Sequence, residues 1–257
     1  MEEQGMTGQV TEMGALSRVM GVLFAPAKAF ESIARKPGWD WLVPLALLVA
    51  VTLVGSILVG PKLDVESAVK QQMKAIGSNP NIDEARRADI ESRVRGQMKF
   101  FTTGMGRWIA PCFLLIPIFL VPLIYHGIAA AFGKKTTYVA VLAGYAYVQM
   151  TQVLKGVVTL IVCIPKSSID IMDAQLDKLV MSNVGAFLDP EKVGMPLVVF
   201  TSNLDLFGLW ALFLAILALS KTTRFTPRAA ALTAGGLWLV WAVIKTGLAA
   251  IQAAFSG

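Results

Sequence analysis

Charged side chains are scarce in these 257 residues. Asp, Glu, Lys and Arg make up 16% of the chain, where a soluble domain carries roughly a quarter. Apolar residues make up 55% and the mean hydropathy is +0.63. That composition leaves too little polar surface to solvate a globule and disfavours a soluble enzyme. Histidine occurs once, as His126, which excludes a multi-histidine metal site. The two cysteines, Cys112 and Cys163, lie far apart inside apolar runs, without CxxC or zinc spacing, and read as small packing residues. GxSxG, HExxH and Walker signatures are missing, as are paired catalytic carboxylates. No catalytic, metal or cofactor site is therefore expected. The opening MEEQGMTGQVTEMG is polar and acidic, without the basic-then-apolar order of a signal peptide. Insertion into a bilayer is expected to rely on the spanning segments themselves.

What the chain has in abundance is uncharged apolar runs. A helix crossing the hydrocarbon needs about 20 apolar residues at about 1.5 Å each. Five runs meet that length, at about 41–60, 108–132, 138–164, 196–219 and 229–255. They are continuously apolar, not alternating in the ten-residue periods of a membrane barrel. The expected fold is all-α: a multi-pass transmembrane bundle with five spans, an interfacial N-terminal helix and an extramembrane helical hairpin. Residues 1–38 read as an interfacial segment and 39–257 as the membrane domain. The fourth run contains Asp205. A span starting after it leaves 15 residues to Ser220, short for a crossing, so the span is drawn through Asp205. The second run carries Pro111, Pro117 and Pro122, whose freed carbonyls favour contact with protein over lipid.

Short connections set the orientation. Lys134 and Lys135 join spans two and three; Lys221, Arg224 and Arg228 lie between spans four and five. Both read as cytoplasmic. Residues 165–195 hold five acids against three bases and read as an exterior loop. Five spans then place the N-terminus in the cytoplasm and the C-terminus outside, with a bacterial inner membrane as the expected location. The net charge of +6 is explained by these cytoplasmic bases, and no nucleic acid partner is expected. Residues 61–107 form the exterior hairpin. Asp64 to Ile76 reads as one helix, Asn79-Pro80-Asn81 as a turn and Asp83 to Phe101 as a second helix. Its Ile90, Val94, Met98 and Phe101 stripe suits either a solvated connector or a docking surface.

Ahead of span one, Ala15 to Ala34 is too short and interrupted to cross. Leu16, Val19, Met20 and Leu23 make one apolar face; Phe30 and Ile33 make a second after Pro26. Arg18, Lys28, Arg35 and Lys36 suit anionic headgroups, and Trp39 and Trp41 suit an interfacial aromatic belt. A short helix packed under the bundle fits the same pattern, and both readings stand at this point.

Three ionisable residues fall inside spans: Lys155, Asp205 and Lys245. Each costs about 2.5–3.5 kcal/mol at depth and calls for an interior partner. Counting about 1.5 Å per residue from the span centres puts them about 4–6 Å to the exterior side, at one level. Asp205 is expected to pair with at least one lysine and tie spans three, four and five together. A polar cavity for a headgroup or small anion is the alternative. Gln152 and Asn203 are expected to hydrogen-bond across helices there.

The stretch LFAPAKAFESIARKPGWDWLVPL, residues 23–45, resembles the opening of bacterial Yip1-domain membrane proteins, with its Phe-x-Pro-x-x-x-Phe and Lys-Pro-x-Trp elements. GSNPNIDEARRADI, AGYAYVQM and SNLDLFGLWALFLAILAL are similar to that family in the same order. A proline expected near Gln149 is absent. The resemblance implies five spans with a cytoplasmic N-terminus, no cofactor and no catalytic residues. Eukaryotic relatives bind small GTPases and membrane-shaping partners in vesicle traffic, and some bacterial relatives accompany ABC-type exporters. Beyond the lipid bilayer, the partner this implies is a membrane protein such as an ABC-type exporter, or a second copy. Two functions follow: a non-enzymatic scaffold or accessory protein, or a solute or lipid transporter using a polar site among spans three, four and five. The latter lacks the inverted repeat common in transporters.

Overall fold

The computed structural model describes residues 13–67, 69, 70, 73, 83–170 and 179–256. Helix α1 (Ala15–Phe24) is followed at once by α2 (Pro26–Arg35). Pro26 takes the first position of α2, where its missing N–H would be unpaired in any case, and it cannot continue α1. A 3-10 turn, Trp39–Trp41, leads into α3 (Leu42–Leu58). Helix α4 (Glu84–Thr102) starts on Asp83, which accepts the Arg86 N–H at 2.7 Å. Then come α5 (Gly106–Ala131), α6 (Tyr138–Val148) and α7 (Met150–Cys163). Gly133, at φ +66°, ends the α5 region in the left-handed conformation that glycine adopts without penalty. The last elements are α8 (Met195–Ser202), α9 (Leu206–Thr223) and α10 (Pro227–Ser256). Two-residue strands β1 (Leu63–Asp64) and β2 (Ile169–Asp170) pair in parallel. Beside them, the Lys62 ammonium meets the Ile164 carbonyl at 2.5 Å, a cation at the C-terminal end of α7.

Five helical stretches are long and apolar enough to cross a membrane: Trp39–Lys62, Gly106–Ala131, Tyr138–Cys163, Leu206–Thr223 and Pro227–Ile251. The all-α, five-span expectation holds. Large apolar side chains face outward along them, including Val54, Ile116, Leu120, Trp241 and Leu248. Such a belt is costly in water and favourable in hydrocarbon. The core centres on α6, of which Val141, Leu142, Ala143, Ala146, Tyr147 and Val148 are all buried. Gly144 lets α9 close in: a Cβ there would stand 3.1 Å from the Thr222 methyl.

The fourth apolar stretch departs from its expected bounds of 196–219. It is two helices, α8 and α9, and the membrane-length one begins only at Leu206. Thr201, Ser202 and Asn203 each bond back to a carbonyl four residues earlier, and Asp205 starts the next helix as its cap. The third stretch bends at Gln149, between α6 and α7, without a proline. Within α5, Pro111 and Pro122 face protein as expected, but the helix as a whole does not. Phe113, Leu120 and Leu123 are exposed, and so is Cys112, which is not a packing residue. Part of the expected 64–76 helix and the Asn79-Pro80-Asn81 turn lie outside the described residues.

Candidate functional site

The break between α8 and α9 gathers polar groups from three spans. Its Asp205 carboxylate has three partners: Oδ2 accepts the Gly208 N–H at 2.9 Å and lies 3.3 Å from Lys155 Nζ on α7, while Oδ1 accepts the Ser182 hydroxyl. Asp205 is buried and Lys155 half-buried, with side chains 9% and 16% exposed. Lys245 on α10 does not reach Asp205. Its Nζ donates to Asn203 Oδ1 at 3.2 Å, and the Asn203 amide is held by the Val199 carbonyl at 2.9 Å. Asp205 thus pairs with one lysine, Lys155, and the other, Lys245, takes Asn203 on the far side of Leu204.

A segment remote in sequence covers the break. The Leu206 N–H donates to the Ser182 carbonyl at 2.8 Å and the Val184 N–H to the Leu204 carbonyl at 3.3 Å. Asn183 caps the 3-10 turn Val184–Phe187 by accepting the Ala186 N–H at 2.8 Å. Gly185 lies so close to α8 that a Cβ would sit 2.6 Å from the Val198 carbonyl and 2.9 Å from the Ser202 N. Gly185→Val is therefore expected to lift 182–187 off the break. Faster amide hydrogen exchange at Leu206 and Val184 would show this, and unchanged exchange would refute it.

A second polar cluster clamps the N-terminal helices. Arg18 is 5% exposed. Its guanidinium bonds the Asp40 carboxylate at 2.7 Å, the Ser32 carbonyl at 3.1 Å and the Lys36 carbonyl at 3.2 Å. The Tyr147 hydroxyl donates to the same carboxylate at 2.9 Å. The planar fork of arginine suits several acceptors at once. Arg18, Phe30 and Trp41 are interior residues, which fits the packed-helix reading over the interfacial one at these positions: Phe30 is 0% exposed, and Trp41 packs edge-on against Phe119. Desolvated in protein, they anchor α1 and α2 to the bundle. Lys28, Arg35, Lys36 and Trp39 are exposed, with Arg35 bonded to Glu31 at 2.6 Å. On α1 the outward residues are Leu16, Met20 and Phe24, at 75%, 50% and 78% exposed, while Val19 and Val22 face in.

Among the described residues, Gln152 makes no cross-helix bond. It lines a cavity between α3, α5 and α7. On α4, Arg95 is bonded to Glu91 and Glu66, and these carboxylates hold its guanidinium above its ordinary pKa. Ser182, Asn183, Asp40 and Tyr147 were not foreseen from the sequence. Ser202-Asn203-Leu204-Asp205 before an apolar run is a helix-start signature, which pointed to the break. Among the described residues, no group of three or more His, Cys, Asp or Glu is placed to hold a metal ion.

Membrane-length helices, an outward apolar belt and interior charge pairs define a multi-pass helical membrane protein. The chain belongs to the Yip1 domain family, whose model matches residues 20–248, nearly its whole length. Neither a curated protein nor a solved structure matches it. The matched region includes Asp40, Tyr147, Lys155, Asp205 and Lys245; Arg18 lies just ahead of it. The family is not a known enzyme family.

Proposed function

We propose that this protein is a non-enzymatic scaffold or accessory subunit of a membrane transport system, working through contacts with protein and lipid. The observation carrying this reading is α1: one face is locked to the bundle through Arg18, and the other presents Leu16, Met20 and Phe24. A fixed apolar stripe suits binding, not turnover. In this reading the α1–α2 end is cytoplasmic, the C-terminus is exterior and the membrane is a bacterial inner membrane. The two basic connections lie together, which supports that orientation: Thr136 donates to the Thr222 carbonyl at 2.7 Å, and Lys134 lies 6.0 Å from the Phe225 ring. The partner is an ABC-type exporter or a second copy of the chain.

The transporter reading rests on the cavity that reaches Lys155. One experiment separates the two. Phe24→Asp combined with Leu16→Asp is expected to abolish stoichiometric co-purification of a membrane-protein partner in mild detergent while the bundle stays monodisperse. A protein that purifies alone, and drives solute flux in proteoliposomes, would replace the scaffold with the transporter.

A further inference from the structure

A cavity of about 790 Å³ opens between α3, α5 and α7. All three belong to membrane-length stretches, so most of the cavity lies between spanning helices, with Leu63, Phe101 and Thr102 lining it beyond their ends. Along span one its lining runs from Leu48 to Val59, about 16 Å. Its volume is typical of a small-ligand site. Its length exceeds half of the hydrocarbon core, itself about 30 Å thick, which suits an extended chain better than a compact solute.

The walls differ in chemistry. Val51, Val59, Leu114 and Leu160 line it with hydrocarbon, while Gln152 on α7 and Ser56 on α3 bring polar groups to it. Thr52 and Thr159 spend their hydroxyls on backbone carbonyls of their own helices. Among the described residues, neither the Gln152 amide nor the Ser56 hydroxyl has a hydrogen-bond partner. A primary amide without a partner at this depth is costly, since lipid tails offer it nothing. Lys155 also borders the cavity, but its charge is met by Asp205. The site therefore offers hydrogen bonds without a net positive charge, which selects against an anionic head.

We infer that this cavity binds a single-chain amphiphile drawn from the bilayer. Its chain lies along Val51, Val59 and Leu114. Its uncharged head, carrying hydroxyl or carbonyl groups, satisfies Gln152 and Ser56. This site lies among spans one, two and three and does not depend on the scaffold reading.

The test uses the full chain in phosphatidylcholine vesicles and a monoacylglycerol with a photoactivatable diazirine in its chain. Label is expected on the lining residues of α3 and α7, and excess unlabelled monoacylglycerol should compete it away. Gln152→Leu keeps the bulk, removes the hydrogen bonds and is expected to lower labelling about three- to tenfold. Ser56→Phe fills the cavity from the opposite wall and should remove the labelling. Size-exclusion profiles and thermal unfolding check the fold of each variant. Should one misfold, the other variant and the competitors decide. Hexadecane competing as well as the monoacylglycerol would overturn the role of the head. Diacylglycerol competing equally would overturn the single chain. Label spread evenly over the outward faces of α3, α5 and α10, and unchanged in both variants, would overturn the site itself.

Discussion

Asp205→Ala is expected to remove most of the folded protein from membranes. The substitution takes the Asp205 carboxylate away from half-buried Lys155, and breaking a fully buried pair costs about 3–5 kcal/mol, an upper bound here. It also deletes the cap of α9, worth about 1 kcal/mol, and releases Ser182. Whole domains are stable by only about 5–15 kcal/mol. Asp205→Asn isolates the charge, because its amide oxygen still accepts the Gly208 N–H. It should lower the yield of monodisperse protein and its unfolding temperature, and Lys155→Met in the same chain should partly restore both. Lys245→Met should not, since Lys245 bonds Asn203 and not Asp205. A silent Asp205→Asn, or equal rescue by both lysine changes, would show that the pair does not hold these helices together.

Arg18→Met carries the second large effect. It leaves the Asp40 carboxylate facing Tyr147 and takes the guanidinium away from the Ser32 and Lys36 carbonyls. A cost of about 3–5 kcal/mol follows from leaving a charge unpaired in a partly buried site. Because α1 and α2 are short, the loss should appear as local detachment. Trypsin should then cut at Lys28 and Arg35 well before it cuts the rest of the chain. Arg18→Lys should rescue little, since one ammonium cannot reproduce the three-acceptor geometry. Adding Asp40→Asn should recover part of the stability. Protection from trypsin in Arg18→Met would mean that Phe30 and Ile33 alone hold the helices down.

The spans were legible because hydrocarbon imposes a length on any helix that crosses it. The break at Asn203–Asp205 was also written in the chain, as a cap sequence. It was outweighed by a length argument that closed the run at Ser220, whereas α9 continues to Thr223 through the polar Lys221 and Thr222. Helix α1 is apolar on two sides, so periodicity did not tell Leu16 and Met20, which face out, from Val19, which faces in. Arg18 settles the matter, and only through Asp40 and Tyr147, the latter pair 107 residues apart. Sequence reading has no access to such a separation. The same limit hid Ser182, which meets Asp205 only because the 182–187 segment folds back over the break. Gln152 shows the reverse case: a polar residue on an apolar helix suggested a neighbouring helix, and the structure supplies a cavity instead.

The ion pair also sets a timetable for biosynthesis. Lys155 and Asp205 are 50 residues apart, and ribosomes add about 5–20 residues per second. The lysine therefore leaves the ribosome several seconds before its counter-ion exists. During that interval the nascent third helix is a poor lodger in lipid. It has to wait beside the insertion machinery or at the headgroups until the fourth helix arrives, which makes the two a single unit of insertion.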